Sequence, residues 1–134
     1  MLNKAQVIGN LGADPKVNVI TTNSGQTKVT SFSVATTERG YTTNNGVQVP
    51  DKTEWHNVVC FGKMAEVVER YLRKGSKVYV EGKMRTRKYE DKQGISRSVM
   101  EIQAENLVML DARPQQQQAQ GNGYNNGYNN NVPY

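Results

Sequence analysis

Apolar and polar residues alternate at a period of two over most of the first 110 residues, and this alternation limits the possible folds more than any other pattern in the chain. Ala5, Val7 and Gly9 are one example, and Phe32 and Val34 are another, with Gly, Asn and Asp clusters between the runs. Successive side chains of a strand point to opposite faces, so the pattern predicts short β-strands. We predict strands near residues 3–12, 16–21, 27–37, 53–62, 76–89 and 97–110.

Residues 64–74 follow helical spacing instead. Their apolar positions recur every three or four residues, Arg73 and Lys74 occupy the predicted last turn, and Gly75 follows as a stop signal. Five main strands with one short helix between strands 3 and 4 is the element order of an OB fold, an all-β, five-stranded Greek-key barrel. We expect the long loop 39–52 and the hairpin tip 90–94 to flank a ligand groove.

The chain changes composition near residue 111. The segment 112–134 is rich in Gln, Asn and Gly and contains no Asp or Glu, which predicts a disordered tail after a folded domain of residues 1–111. The net charge is +5 overall and +4 for residues 1–111, from 16 basic and 12 acidic residues. Such a mild excess favours a polyanionic partner only weakly, so the positions of the charges along the chain are more informative than their sum.

Catalytic signatures are not found in the sequence. It contains one His, one Cys and no spaced Cys/His cluster, so we predict neither an enzyme nor a metal site, and no cofactor. Glu90 and Asp91 are adjacent acids, which fit a solvated turn better than an acid–base pair. The single Cys60 lies in an apolar run and suits a reducing cytoplasm; no segment has the layout of a secretory signal or a membrane helix.

Two predicted strands place cations and aromatics on one face. On residues 77–89, one face collects the residues Val78, Val80, Gly82, Met84 and Thr86, which we interpret as core. The opposite face collects the residues Lys77, Tyr79, Glu81, Lys83, Arg85, Arg87 and Tyr89. A solvated strand can have such a face, but cations that end at an aromatic also suit the phosphates and bases of an unpaired nucleic-acid strand.

On residues 53–62, Trp55 and Phe61 share a face, while Val58 and Cys60 lie on the other. Large aromatics are usually buried, so core packing is the alternative interpretation. Because the opposite face already offers apolar residues, we favour the Trp55 face as a ligand surface, where base stacking tolerates any sequence. His56 has no second metal-type residue near it, and we interpret it as a structural or subunit-contact residue.

Four ordered motifs resemble the bacterial single-stranded DNA-binding protein family. They are Asn3–Pro15 (NKAQVIGNLGADP), the block TEWH at residues 53–56 continuing to FGK at 61–63, YLRKGS at 71–76, and GKMRTRKY at 82–89. The resemblance covers nearly all of residues 1–111. It implies an OB fold that binds and protects single-stranded DNA, independently of sequence, during replication, recombination and repair, as a cytoplasmic, nucleoid-associated homotetramer.

The resemblance also assigns roles to individual residues. It implies base stacking by Trp55, Phe61 and Tyr89, with Tyr41 as a fourth stacking residue in a loop that matches the family poorly. It implies DNA-path cations at Lys63, Lys74, Arg85, Arg87 and Lys88, and a subunit contact at His56. The family often has Trp where this chain has Tyr89, so we expect weaker stacking there.

The C-terminal end departs from the family pattern of acidic residues followed by an apolar residue, Pro and Phe. Here Val132, Pro133 and Tyr134 keep the apolar–Pro–aromatic end without the acids, which argues against docking of replication and repair proteins through basic pockets. The tail is either a solubilising segment or a weakened docking peptide. Two other functions stay open for the chain: an OB-fold protein-interaction module, and an RNA-binding protein of the cold-shock type.

Overall fold

The structure, a computed structural model, describes residues 1–111, and it contains eight strands and one helix. The strands are β1 (Ala5–Leu11), β2 (Lys16–Thr22), β3 (Gly25–Glu38), β4 (Tyr41–Thr42), β5 (Gln48–Val49), β6 (Lys52–Phe61), β7 (Lys77–Glu90) and β8 (Ser96–Met109). Helix α1 (Gly62–Tyr71) lies between β6 and β7. All six predicted strands are therefore present, together with the short pair β4–β5 inside the predicted loop 39–52.

The long strands close into a barrel. Strands β1 and β2 both pair antiparallel with β3, so they form a single barrel strand interrupted at residues 12–15. β3 pairs with β6, β6 pairs in parallel with β8, β8 pairs with β7, and β7 returns to β1. Five barrel strands with the helix between the third and the fourth confirm the predicted OB fold.

The core fills the inside of this barrel with small aliphatic side chains. Its buried apolar residues are Leu11, Phe32, Val34, Val58, Cys60, Ala65, Val68, Leu72, Val78, Val80 and Ile102. The helix packs over one end of the barrel, where Ala65 and Val68 are buried. The core is thus formed by one face of each strand and one stripe of the helix, as period-two strands and an amphipathic helix require.

Helix α1 ends earlier than predicted and buries a different stripe. Its last residue is Tyr71, because Leu72 adopts an extended backbone conformation and turns its side chain into the core. Val67 and Tyr71, predicted to belong to the apolar face, are exposed. Gly75, the predicted helix stop, has a positive φ of 90°, but it lies beyond the end of the helix, in the turn that leads into β7.

The predicted core face of β7 is correct only for its first half. Val78, Val80 and Gly82 are buried, whereas Met84 and Thr86 are exposed. The strand pairing shifts register between Glu81 and Gly82, where the pairing of β7 with β1 ends, and from Thr86 and Met100 onward β7 and β8 continue as a two-stranded hairpin past the barrel. Both faces of that projecting ribbon are accessible, so its period-two pattern does not mark a core.

The tail 112–134, including the proposed docking residues Val132, Pro133 and Tyr134, lies outside the described residues. Within residues 1–111, α1 is too short to cross a membrane and no other helix is present to do so.

Candidate nucleic-acid interface

Strand β6 presents two large aromatic side chains on the outside of the barrel. Trp55 is 58% exposed and Phe61 is 42% exposed, whereas Val58 and Cys60 are fully buried. This is the predicted alternation of the two faces. Six residues separate the two rings along one strand face, a distance of about 20 Å at the rise of a β-strand. The barrel therefore displays two separated apolar surfaces on one side.

A groove of about 270 Å³ includes Asn57, which by strand alternation shares the outer face of β6 with Trp55. Its floor includes the polar outward side chains Ser31, Ser33 and Asn57, and Ser33 donates a hydrogen bond of 3.4 Å from Oγ to Oδ1 of Asn57. One wall lies where the first barrel strand is interrupted and β2 begins, and it is formed by Ala13, Asp14 and Lys16. The opposite wall is the β7–β8 hairpin, through the residues Arg87, Tyr89, Val99 and Glu101.

The hairpin wall carries an organised cation and aromatic ring. The guanidinium carbon of Arg87 lies 5.5 Å from the centroid of the Tyr89 ring. Nε of Arg87 donates a hydrogen bond of 3.1 Å to Oε2 of Glu101 on β8, and Nη2 lies 3.0 Å from the same oxygen in an ion pair. The hydrogen bond that Arg87 donates to Glu101 raises the pKa of Arg87 further above its ordinary value, so the guanidinium remains charged. Arg87 and Tyr89 thus face the groove together, as their shared strand face predicted.

The predicted row of cations on β7 is partly neutralised by acidic side chains. Lys83 lies 3.8 Å from Glu105, and Arg87 pairs with Glu101. Eleven exposed cations of residues 1–111 form no ion pair, and they include Lys63, Lys74, Lys77, Arg85 and Lys88. By strand alternation, Arg85 shares the face of Arg87, whereas Lys88 points to the opposite face of the hairpin.

Four further predicted residues do not line the groove. Tyr41 is 63% exposed on β4, at the base of the β4–β5 hairpin. Lys63 lies in the first turn of α1, and the backbone N–H of Lys74 donates to Oδ1 of Asp14 at 2.8 Å. His56 is half-buried, and its Nε2 hydrogen-bonds Oγ1 of Thr36 at 2.8 Å.

Several residues of the interface were not found from the sequence. Gly12 contacts the Trp55 ring, and the polar groove floor on β3 depends on strand register, which the alternation pattern does not reveal. Glu101 was missed because its partner Arg87 lies on another strand. The only available signal was the placement of Gly12 and Asp14 between two predicted strands, a typical position for a ligand-facing loop.

The arrangement suits binding better than chemistry. Cys60 is buried, and burial raises the pKa of its thiol to about 12, so this potential nucleophile stays protonated near neutral pH. Among residues 1–111, no three His, Cys, Asp or Glu side chains lie close enough to hold a metal ion. The groove instead combines the exposed Tyr89 ring with cations and small hydroxyl and amide groups, and Trp55 and Phe61 are exposed on β6. Together these groups can hold a flexible polyanion with planar bases.

The single-strand binding protein family model matches residues 2–110. Among curated proteins, the single-stranded DNA-binding protein of Bacteroides thetaiotaomicron is 49% identical over 109 residues, covering 81% of this chain and 66% of the relative. Single-stranded DNA-binding protein 1 of Xylella fastidiosa is 46% identical over 109 residues, covering 81% and 77%. A Neisseria meningitidis relative with the same description is 43% identical over 112 residues, covering 84% and 62%.

A solved structure is similar to this chain in three dimensions as well as in sequence. The chain described as the Plasmodium falciparum SSB complex with ssDNA superposes with a TM-score of 0.67 and 34% sequence identity. The superposition covers 83% of this chain and 96% of that one. Sequence and structure therefore agree on the matched region, which spans between 62% and 77% of the three curated relatives.

Proposed function

Because the chain belongs to the single-strand binding protein family, we propose that it binds single-stranded DNA with little regard to base sequence. The observation that carries this proposal is the exposure of Trp55 and Phe61 above a filled core. Exposing large aromatic rings to water is unfavourable for a folded monomer, so such rings indicate a surface that a ligand covers. The solved relative with single-stranded DNA supports the same ligand.

Binding combines stacking with phosphate neutralisation. Bases stack on the aromatic rings of Trp55, Phe61, Tyr89 and Tyr41, and each such contact contributes on the order of 1–3 kcal/mol without reading base identity. Phosphates lie against the cations Lys63, Lys74, Arg85, Arg87 and Lys88. Among these, Arg87 and Tyr89 are held together on the groove wall, which favours a phosphate and a neighbouring base there.

Residues 1–111 are the proposed binding domain, and its action is non-covalent. The match to the family over residues 2–110 supports this boundary. The family is a DNA-binding one, and the described thiol is buried, so we infer no catalytic role. The biological role that follows is protection of single-stranded DNA in replication, recombination and repair, in a cytoplasmic, nucleoid-associated protein.

We propose a homotetramer, with His56 near a subunit contact. The exposed Ile8 on the outer face of β1 supports burial of this side of the barrel by another subunit. Light scattering coupled to size-exclusion chromatography measures the mass directly, and a monomer at micromolar concentration would contradict the assembly. Docking of replication and repair proteins through Val132, Pro133 and Tyr134 is proposed to be weak, because no acidic residue accompanies them.

The first experiment follows the fluorescence of Trp55, the only tryptophan in the chain, during titration with oligo-dT of about 70 nucleotides. Stacking predicts strong, saturable quenching, and the endpoint gives the number of nucleotides per protomer. A folded protein whose fluorescence and hydrodynamic size are unchanged by oligo-dT contradicts the proposal and favours a protein-interaction module.

A pair of variants separates stacking from charge. Trp55→Ala should weaken binding more than Arg85→Ala at high salt, because salt screens the phosphate contact and leaves stacking in place. The reverse ranking would mean that stacking on Trp55 is secondary. Competition with an RNA oligomer of matched sequence tests the cold-shock alternative, which predicts that RNA displaces DNA.

A further inference from the structure

The backbone of Gly12 lies against the benzene ring of the Trp55 indole. A Cβ atom built on Gly12 would overlap Cζ3 of Trp55 and would lie 2.7 Å from Cη2, well inside the 3.5–4.0 Å at which carbon atoms attract each other. The φ angle of Gly12 is not among the positive ones, so its backbone conformation does not itself require glycine. The contact with the indole is therefore the reason that no side chain fits at this position.

To reach Gly12, the indole has to cross strand β3. Trp55 on β6 pairs with Ala35 on β3, and Ala35 pairs on its other side with Asn10 of β1. Gly12 follows β1 and donates its N–H to the carbonyl of Ser33 at 3.1 Å. The side chains of Ser33 and Ala35 are small, so the indole can lie over β3 with its far end on the Gly12 backbone.

The support under the indole is fixed by backbone hydrogen bonds on both sides. Besides the bond from Gly12 to Ser33, the N–H of Leu11 donates to Ser76 at 2.9 Å, and the N–H of Gly75 donates to Leu11 at 2.8 Å. Leu11 itself is buried. Because the segment cannot retreat without breaking these bonds, a side chain at position 12 would displace the ring and not the backbone.

We propose that Gly12 is a positioning residue, whose bare backbone holds the Trp55 indole in one orientation before DNA arrives. The indole is then anchored at its benzene end while more than half of the side chain stays accessible. A ring that is already ordered loses less conformational entropy when a base stacks on it, so preorganisation strengthens binding. This inference rests on the proposed function, in which Trp55 stacks on bases.

Gly12→Ala tests the contact directly in the protein without DNA. We expect the emission of Trp55 to shift to longer wavelength and its quenching by acrylamide to increase, because the displaced indole moves into solvent. We also expect affinity for labelled oligo-dT, measured by anisotropy, to fall about tenfold, as loss of one base stack predicts. Unchanged Trp55 emission and acrylamide quenching in Gly12→Ala would overturn the inference.

The matched control is the same substitution in a Trp55→Phe background, where the shorter ring leaves space above position 12. There, Gly12→Ala should change oligo-dT affinity less than about twofold and should restore any thermal stability lost in the single variant. An equal loss of affinity in both backgrounds would overturn the positioning role. If wild-type protein fails to bind oligo-dT, the proposed function fails, while the acrylamide result still decides whether Gly12 orients Trp55.

Discussion

Glu101 places a carboxylate in the groove where we propose that phosphates bind. Its side chain is only 14% exposed, and Oε2 accepts a hydrogen bond from Nε of Arg87 and lies 3.0 Å from Nη2. A phosphate that approaches Arg87 therefore meets a competitor for the same guanidinium. The ion pair orients Arg87 over Tyr89 in the free protein and at the same time weakens its attraction for DNA.

Glu101→Gln removes the competing charge and keeps the shape of the side chain. We predict that affinity for oligo-dT at low salt rises about fivefold, a change of about 1 kcal/mol that is typical of one exposed charge pair. Anisotropy titrations at several salt concentrations measure the effect, which should shrink as salt increases. Glu69→Gln is the control, because Glu69 pairs with Lys28 on the helix side, outside the groove lining. Equal affinities for both variants would contradict the competition.

Cys60 and Thr30 are paired residues of β6 and β3, and both are fully buried. Among the described residues, the Thr30 hydroxyl has no hydrogen-bond partner. Burial raises the pKa of the Cys60 thiol from 9.0 to about 12. The interior at this point therefore opposes a thiolate.

This shift predicts how stability changes in alkali. Between pH 9 and 12 the unfolded chain loses the Cys60 proton while the folded chain keeps it, so the free energy of unfolding decreases as pH rises. The contribution is at most about 1.4 kcal/mol per pH unit. Urea unfolding at pH 8 to 11 should show a steeper decrease for wild type than for Cys60→Ala, although the variant is less stable at pH 8. Parallel profiles would contradict the assignment.

The sequence revealed part of the site at the residue level. Trp55 and Phe61 were placed on the outer face because Val58 and Cys60 supplied an alternative core face, and alternation within one strand is local information. Gly12 and Glu101 could not be identified from the sequence, because their contacts are made across β3 and between β7 and β8. Neither residue type has a propensity that marks such a contact, so only the strand register reveals it.

The pairing of β7 with β1 ends at Gly82, where the β7–β8 pair is irregular. Here Glu81 pairs with Asn106 and Gly82 pairs with Ala104, so Glu105 is the extra residue of a β-bulge. A Cβ atom on Gly82 would overlap the carbonyl oxygen of Gln103 and lie 2.9 Å from the Cα of Ala104. The absence of a side chain allows the two backbones to approach at the point where the sheet bends.

Gly82→Ala should therefore destabilise the protein, by about 2 kcal/mol, because two backbones have to separate. Chemical denaturation measures the change. Thr86→Ala, on the exposed part of the same strand, is the control and should change stability by less than about 0.5 kcal/mol. A Gly82→Ala variant as stable as this control would show that the bulge tolerates a methyl group.

At the element level, the positions of the strands could be predicted from the sequence. Which stretches of strand form one barrel strand, and where the core face ends, could not. Period-two alternation located all six long strands, but it did not show that β1 and β2 are halves of one barrel strand, since both halves pair with β3. It also extended the core face to Met84 and Thr86, because the pattern continues where the hairpin leaves the core. The helix end was missed at Leu72, where burial outweighed helical spacing.

The charges of the whole molecule make DNA affinity dependent on salt. If the five proposed cations Lys63, Lys74, Arg85, Arg87 and Lys88 each neutralise one phosphate, log affinity should fall with log salt at a slope of about −3.5 per protomer. Titrations with oligo-dT across a tenfold range of NaCl concentration measure it. Arg85→Ala should reduce the slope by about 0.7.

Lys4→Ala is the matched control, because Lys4 is held by Glu81 at 2.8 Å and neither residue lines the groove. Its salt slope should equal that of wild type. A wild-type slope shallower than about −1 would contradict phosphate neutralisation by the five cations and would leave stacking as the main source of affinity.

The parallel contact between β6 and β8 joins only three residue pairs, Asn57–Glu101, Val58–Ile102 and Val59–Gln103. The chain that connects these partners includes the helix and all of β7, so the last bonds of the barrel form between segments distant in sequence. Such contacts form slowly, since a long loop has to close before they stabilise the structure. During synthesis on the ribosome, a chain that lacks β8 leaves β6 with an open edge, so the barrel closes only once nearly all of residues 1–111 have emerged.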